Sequence, residues 1–316
     1  MTAAALSKGS LRGERWRRRA RDLAGFGRRF LRRRDGVIGL ALLVLFVVLA
    51  LAPSLFVGPL ETVTTASGDA LTAPGAGHPL GTDNLGRDML NLTVHGSRIS
   101  MTIGLLATVV TILLGVVIGI VAGYAGGATD TVLMRITDFF LVLPTFVLAL
   151  ILAPIVLDLI GSDAEVFGIR ATLFVTVVVI GITSWASTAR IIRSQTLSLK
   201  ERAFVSRARV IGAGGGHIMI RHILPNVLNL IVANTVLTFA GAVLTETTLA
   251  FVGLGDPLDP SWGQILNAAE SSGAPGLGAW WFIAPPATCV VLVVLGFTLV
   301  GGALDELLNP RHRIRR

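Results

Sequence analysis

Long apolar runs separated by short polar stretches set the pattern of this chain. The runs lie near Val37–Val57, Ile99–Gly123, Phe139–Leu157, Ala171–Ala189, Val227–Ala250 and Trp281–Leu304. A helix needs roughly twenty mostly apolar residues to cross a bilayer, and each run is near that length. Backbone polar groups in lipid must be satisfied within the segment, so the runs are predicted to be helices. The strands of a membrane barrel alternate in polarity over shorter segments, and these runs do not. The expectation is an all-α integral membrane protein with six transmembrane helices. The first run is too long for the apolar core of a signal peptide, and no small-residue cleavage site stands out after it. It reads as an uncleaved first span.

Composition agrees. The 316 residues are 53% hydrophobic and 15% charged, and the mean hydropathy is +0.74. A soluble domain carries about a quarter charged residues. The lone cysteine, Cys289, sits in the last run. It allows no disulfide within the chain, no Cys/His metal spacing accompanies it, and it reads as packing. Gly104, Gly115 and Gly119 lie along the second run, and the Gly115/Gly119 pair has the spacing of close helix packing.

The placement of the net charge of +8 predicts orientation. The N-terminal arm reads RGERWRRRARDLAGFGRRFLRRRDG and the tail ends NPRHRIRR. Juxtamembrane arginines mark the cytoplasmic side, so the arm is expected to lie on headgroups rather than on nucleic acid. Six spans then put both termini in the cytoplasm. The loops that fall outside, DLIGSDAEVFGI and GLGDPLDPSWGQILNAAESSGAPGLGA, contain no Lys or Arg. Their Gly, Pro and Ser predict turns and short irregular pieces. The organisation expected is a basic arm (1–36), a first span with its outer loop (37–98), a five-helix core (99–304) and a basic tail (305–316).

One inward-facing stretch, ERAFVSRARVIGAGGGHIMIRHILPN, is rich in arginine. Read as a helix over Leu199–Ile211, it puts Phe204, Ala208 and Ile211 on one apolar edge and Arg202, Ser206 and Arg209 on another. Gly212 and Gly214–Gly216 break that helix. A second short helix, HIMIRHIL, ends by Pro225, where the next span begins. The glycines lack the spacing of a phosphate cradle and no Lys-Ser/Thr follows them. Headgroup binding and docking into a partner's groove remain as readings of the amphipathic helix.

This stretch resembles the cytoplasmic signature loop of inner-membrane permease subunits of binding-protein-dependent ABC importers. That signature is E-A-A, three residues, Gly, nine residues, then I-x-L-P. Gly212, Leu224 and Pro225 match it. The E-A-A register falls on Ser206-Arg207-Ala208, so only Ala208 matches, and His222 replaces the isoleucine. HPLGTDNLGRDMLNLTVHGSRISMTIG, GYAGGATDTVLMRITD, ETTLAFVGLGDPLDPSWGQIL and LVGGALDELLNPRHR resemble the C-type subunit of the dipeptide, oligopeptide and nickel branch. Gly302 stands where that branch often has aspartate.

The resemblance implies a type I importer permease fold in the cytoplasmic membrane. It implies a B-type permease partner, ATP-binding subunits beneath and a peptide-binding protein outside. ATP and magnesium would be bound by those ATPase subunits, with no cofactor on this chain. The loop 198–225 would be the coupling element, through Arg202, Phe204, Ser206, Arg207, Ala208, Arg209, Gly212, Ala213, Leu224 and Pro225. The chain itself has no P-loop, since neither Lys8 nor Lys200 sits in one.

Ionisable residues in or beside spans are functional candidates. Glu246 is expected either to line the outer gate or to hold the FVGLG turn. Asp138 lies after Arg135 near the inner end of the third span. Asp83, Arg87 and Asp88, with Arg98, either meet the binding protein or its peptide, or fold their own loop. The expected function is a permease for dipeptides or oligopeptides working by alternating access. Its rivals are a nickel-chelate permease, an ion-driven secondary transporter using Glu246 and Asp138, and a membrane anchor.

Overall fold

The structure, a computed structural model, describes residues 25, 27–161 and 164–308. Most of the basic arm, Ser162 and Asp163, and the tail from 309 onward lie outside the described residues. The elements in chain order are α1 (Arg34–Leu51), α2 (Met89–Ala125), α3 (Gly127–Val142), α4 (Thr145–Ile160), a two-stranded hairpin of β1 (Glu165–Val166) and β2 (Ile169–Arg170), α5 (Ala171–Lys200), α6 (Ala203–Val210), α7 (Gly215–Ile218), α8 (Leu224–Leu249), α9 (Trp262–Ser271) and α10 (Ala284–Leu308).

Among the described residues, five helical stretches are long and apolar enough to cross a membrane alone, and a sixth is counted only if a bent helix pair is taken as one span. That pair corrects the expectation of one helix over Phe139–Leu157. There the chain bends by 94° between α3 and α4. Pro144 causes the break. It pushes Leu143 into extended geometry (φ −77°, ψ 132°) and supplies no N–H for a helix passing through.

Helix α2 is the second correction. It begins ten residues before the expected Ile99, capped by the Asp88 side chain, which accepts from the Asn91 N–H at 2.9 Å. Its 37 residues span about 55 Å, well beyond a hydrocarbon core of about 30 Å. Hydropathy marks the part in lipid, whereas the polar overhang is helical because it packs. Met89 and Leu92 are buried against α9, through Ile265 and Ala269. The outer loop thus contains a ten-residue amphipathic helix where only turns were expected. Its Trp262 is fully buried, edge-on to Phe46 of α1, and donates its indole N–H to the Thr93 carbonyl at 3.0 Å.

The core is built on α2 and α5. Without a hydrophobic force between helices in lipid, small residues that let backbones approach do the work. A Cβ on Gly119 would stand 2.6 Å from the Ala189 carbonyl oxygen, and one on Gly115 would stand 2.6 Å from Thr188 Cβ. From the other side, Gly181 fits against Val110 of α2. Gly104 does the same toward α8, at Val243. The glycine spacing read from the sequence is therefore a packing device. Helix α1 joins α10 through Gly39, which lies against the Gly296 carbonyl. Arg33, at the start of α1, pairs with Glu306, near the end of α10. The first and last spans therefore open and close on the same side of the membrane.

Candidate functional site

The loop between α5 and α8 folds back onto the helix ends that carry it. Helix α5 continues to Lys200, so Leu199 belongs to the span and not to a separate helix over Leu199–Ile211. Arg202 is extended (φ −75°, ψ 144°), and α6 starts at Ala203. The helix ends as a Schellman motif. The Gly212 N–H reaches the Arg209 carbonyl and the Ala213 N–H reaches the Ala208 carbonyl, both at 3.0 Å. Gly212 has φ +89°, the left-handed region, and no atom would touch a Cβ placed there. Its glycine is needed for conformation, not for space.

The buried edge of α6 also differs from the expected Phe204, Ala208 and Ile211. Val205 is fully buried and Ala208 is buried, in a cluster with Ile192 and Leu199 of α5, Ile218, Ile223 and Val227. Phe204 and Ile211 are exposed, as is Val210. Ile211 lies past the last residue of α6, and the buried pair Val205 and Ala208 is spaced i, i+3. The inner edge fixes the loop to α5 and α8. The outer edge offers an apolar patch flanked by exposed Arg202, Arg207 and Arg209, with Ser206 also exposed. Val205 was missed because Phe204 beside it offers an equally apolar face, and only the fold says which side is in.

The second short helix does not stop at Pro225. Helix α7 widens into a π-helical segment over Met219–Ile223 and runs on into α8, with Leu224 and Pro225 in its first turn. The wider turn accommodates a proline that lacks an N–H and crowds the preceding turn. His222, in the place of the signature isoleucine, lies with its ring 6.4 Å from Phe204 and 5.8 Å from His217.

Nearby, α3 is fastened to α5 by two ion pairs. Arg193 donates to both oxygens of Asp130 at 2.5 and 2.6 Å, and Arg190 donates to Asp138 at 2.7 Å. Asp138 pairs with Arg190, and the two side chains are 48% and 58% exposed.

At the opposite end, Glu246 is 1% exposed. The hydroxyls of Ser261, Ser100 and Thr247 surround its carboxylate. Ser100 Oγ also accepts from the Trp262 N–H at 3.2 Å. Glu246 therefore sits where α2, α8 and the start of α9 meet, just before Gly253 turns the chain at φ +95°. Arg170 of the hairpin bridges Asp256, at 2.9 Å, and Asp259 of the segment after that turn. The Thr172 hydroxyl also donates to Asp256. This Arg–Asp–Asp clamp was not legible in the sequence, since 86 residues separate Arg170 from Asp256.

Asp83, Arg87 and Asp88 fold their own loop. Asp83 is fully buried and accepts from the N–H groups of Leu85 and Arg87, both at 2.8 Å, and from the Arg87 guanidinium at 2.7 Å. Asp88 caps α2 and holds His78 Nδ1 at 2.9 Å. The Asp83 carboxylate is fully buried within this loop. Arg98 stands apart from this network, one helix face away, at a cavity.

A bundle of apolar helices, with a basic loop pinned at one end and a clamped turn at the other, is the geometry of a multi-span membrane protein. Residues 115–314 match the family described as "Binding-protein-dependent transport system inner membrane component". The chain belongs to this family and is a permease subunit of the cytoplasmic membrane with the type I permease fold. It is similar to a protein of Brucella suis biovar 1 (strain 1330) named as a peptide permease, 35% identical over 295 residues and 92% of each chain. It is also similar to the oligopeptide transport system permease protein OppC of Bacillus subtilis (strain 168), 32% identical over 287 residues, 90% of this chain and 88% of that one. OppC of Mycobacterium tuberculosis (strain ATCC 25618 / H37Rv) is 34% identical over 291 residues, 92% of this chain and 94% of that one.

Proposed function

We propose that this chain is the non-catalytic permease half of an ATP-driven importer for dipeptides or oligopeptides. A second permease would complete the pore, ATPase subunits would bind ATP and magnesium, and a binding protein would deliver peptide outside. The single observation that carries the coupling is the geometry of α6. Its inner edge is anchored on α5 and α8 by Val205 and Ala208, while Phe204, Val210 and Ile211 face away among arginines. A helix held this way transmits a push from a partner's groove to two spans at once. Leu224 and Pro225 lie where that push enters α8.

Peptide as substrate is supported by the names of the relatives, which cover nearly the whole chain. Ion-driven transport is disfavoured by the two acids it would use. Asp138 is paired with Arg190, and Glu246 is enclosed by hydroxyls beneath a clamped turn.

In its host cell, deleting this chain should abolish uptake of a labelled peptide, and restoring it should recover uptake. Depleting ATP should stop uptake, while an uncoupler that spares ATP should not. Uptake that survives ATP depletion and collapses with the proton gradient contradicts the proposal.

The termini are proposed to be cytoplasmic. In a Cys289→Ala background, Ser271→Cys should react with an impermeant thiol reagent on intact cells and Ser198→Cys should not. Both positions are exposed. Labelling of Ser198→Cys from outside reverses the orientation.

A further inference from the structure

A cavity of about 490 Å³ opens at the outer end of the α2–α5 pair, beneath the β1–β2 hairpin. Its floor is apolar: Ile103 and Leu106 from α2, and Leu173, Phe174 and Val177 from α5. Its rim is ionised: Arg98, Glu165, Arg170 and Asp259. Cavities of roughly 300–1,000 Å³ with apolar walls and a few placed polar groups are the usual form of a small-molecule site.

The rim charges are not equivalent. Arg170 is already bridged by Asp256 and Asp259. Arg98 is exposed and has no carboxylate partner among the described residues. Glu165 is exposed on the hairpin and likewise has no cationic partner among the described residues. Among the described residues, one rim therefore offers a guanidinium and a carboxylate that no ion pair engages, over an apolar floor. A guanidinium fork matches a carboxylate in two parallel hydrogen bonds. A carboxylate receives an ammonium.

We propose that this cavity is a peptide subsite of the permease itself, in which Arg98 takes the terminal carboxylate, Glu165 takes the terminal ammonium and the floor takes an apolar side chain. The inference rests on the peptide-importer reading. A short zwitterionic peptide supplies all three features in one molecule. An anionic lipid headgroup would meet Glu165 and Asp259 as well as Arg98, which opposes it. The subsite adds a selection step, after delivery, for a free C-terminus.

Thr102 lines the cavity and is exposed, so a cysteine there reports occupancy. The test uses the complete transporter, with Cys289→Ala and Thr102→Cys, in nanodiscs and in lipid-free detergent. The probes are tri-leucine and its C-terminal amide. Tri-leucine should slow alkylation of the thiol and the amide should not. Arg98→Ala should weaken this protection by about tenfold, the worth of one charge-assisted hydrogen bond, and Arg98→Lys should restore part of it. Equal protection by the amide overturns the proposal. So does protection by anionic lipid with none by peptide. So does a thiol that is blocked in the ligand-free transporter but reactive in the isolated chain, which assigns the cavity to the partner permease. ATP-driven uptake by the same preparation separates the two claims. Intact uptake without protection removes only the subsite, whereas no peptide uptake removes the importer reading beneath it.

Discussion

Gly212→Val is expected to leave the chain folded in the membrane and to abolish peptide uptake. Gly212 holds φ +89° with empty space around its α-carbon. A β-branched residue there gains no clash with neighbours but strains the backbone, by on the order of 1–2 kcal/mol. The strain falls on the Schellman motif that ends α6, and the bonds to the Arg209 and Ala208 carbonyls are lost first. The spans do not depend on them, so insertion and detergent behaviour should stay normal. The patch of Phe204, Val210 and Ile211 would be misplaced. ATPase subunits should then co-purify poorly, or hydrolyse ATP without moving peptide. Replacing Val210 and Ile211 by alanine separates shape from surface. Both are exposed, so the loop should keep its fold while docking weakens. Charge reversal at Arg202 and Arg209 should reduce ATPase co-purification in detergent, where no anionic bilayer remains. Full co-purification and uptake in every one of these variants would assign the loop to headgroups instead.

Gly119→Leu is expected to prevent the chain from folding. The atoms in the way are fixed by the backbone: the Ala189 carbonyl at 2.6 Å, Ile192 Cβ at 2.9 Å and the Arg193 amide nitrogen at 3.1 Å from the first added carbon. No rotamer change relieves that contact, and α2 and α5 would have to part. Overpacking of a core costs about 1–3 kcal/mol when side chains can adjust, and more is expected where they cannot. Gly302→Ala is the control. Nothing lies within 4 Å of a Cβ at that position, and removing a glycine from a helix interior is neutral or stabilising by up to about 1 kcal/mol. Size-exclusion profiles and thermal unfolding in detergent should place the two variants far apart. A well-folded Gly119→Leu protein would show that the α2–α5 approach is not required.

The sequence pattern made five of the apolar crossings legible, because the bilayer sets a length that apolar runs must meet. It missed what polar residues do outside the lipid. The overhang Met89–Arg98 and helix α9 are helical because Leu92 packs with Ile265 and Trp262 bonds to the Thr93 carbonyl, contacts across more than 160 residues. Pro144 was visible, yet a single proline does not say whether a span kinks or bends by 94°. In the loop, Gly212 was legible from its backbone requirement, whereas Pro225 starts α8 without ending the helix before it. Val205 was not legible, since which face of α6 meets α5 and α8 is set by tertiary packing, and Glu201–Arg202 interrupts the helix without a glycine or proline to mark it. Asp83 read as a surface acid among surface acids. Its role follows from N–H groups that converge on it only after the chain turns at Gly86.

The most direct measurement of the central claim follows labelled peptide in proteoliposomes. One set holds this chain with its permease partner, ATPase subunits and binding protein, and the other holds this chain alone. The complete set should accumulate peptide only when ATP is supplied on the ATPase side, and the chain alone should accumulate none with or without a pH gradient. Accumulation by the chain alone, driven by a pH gradient, would contradict the account.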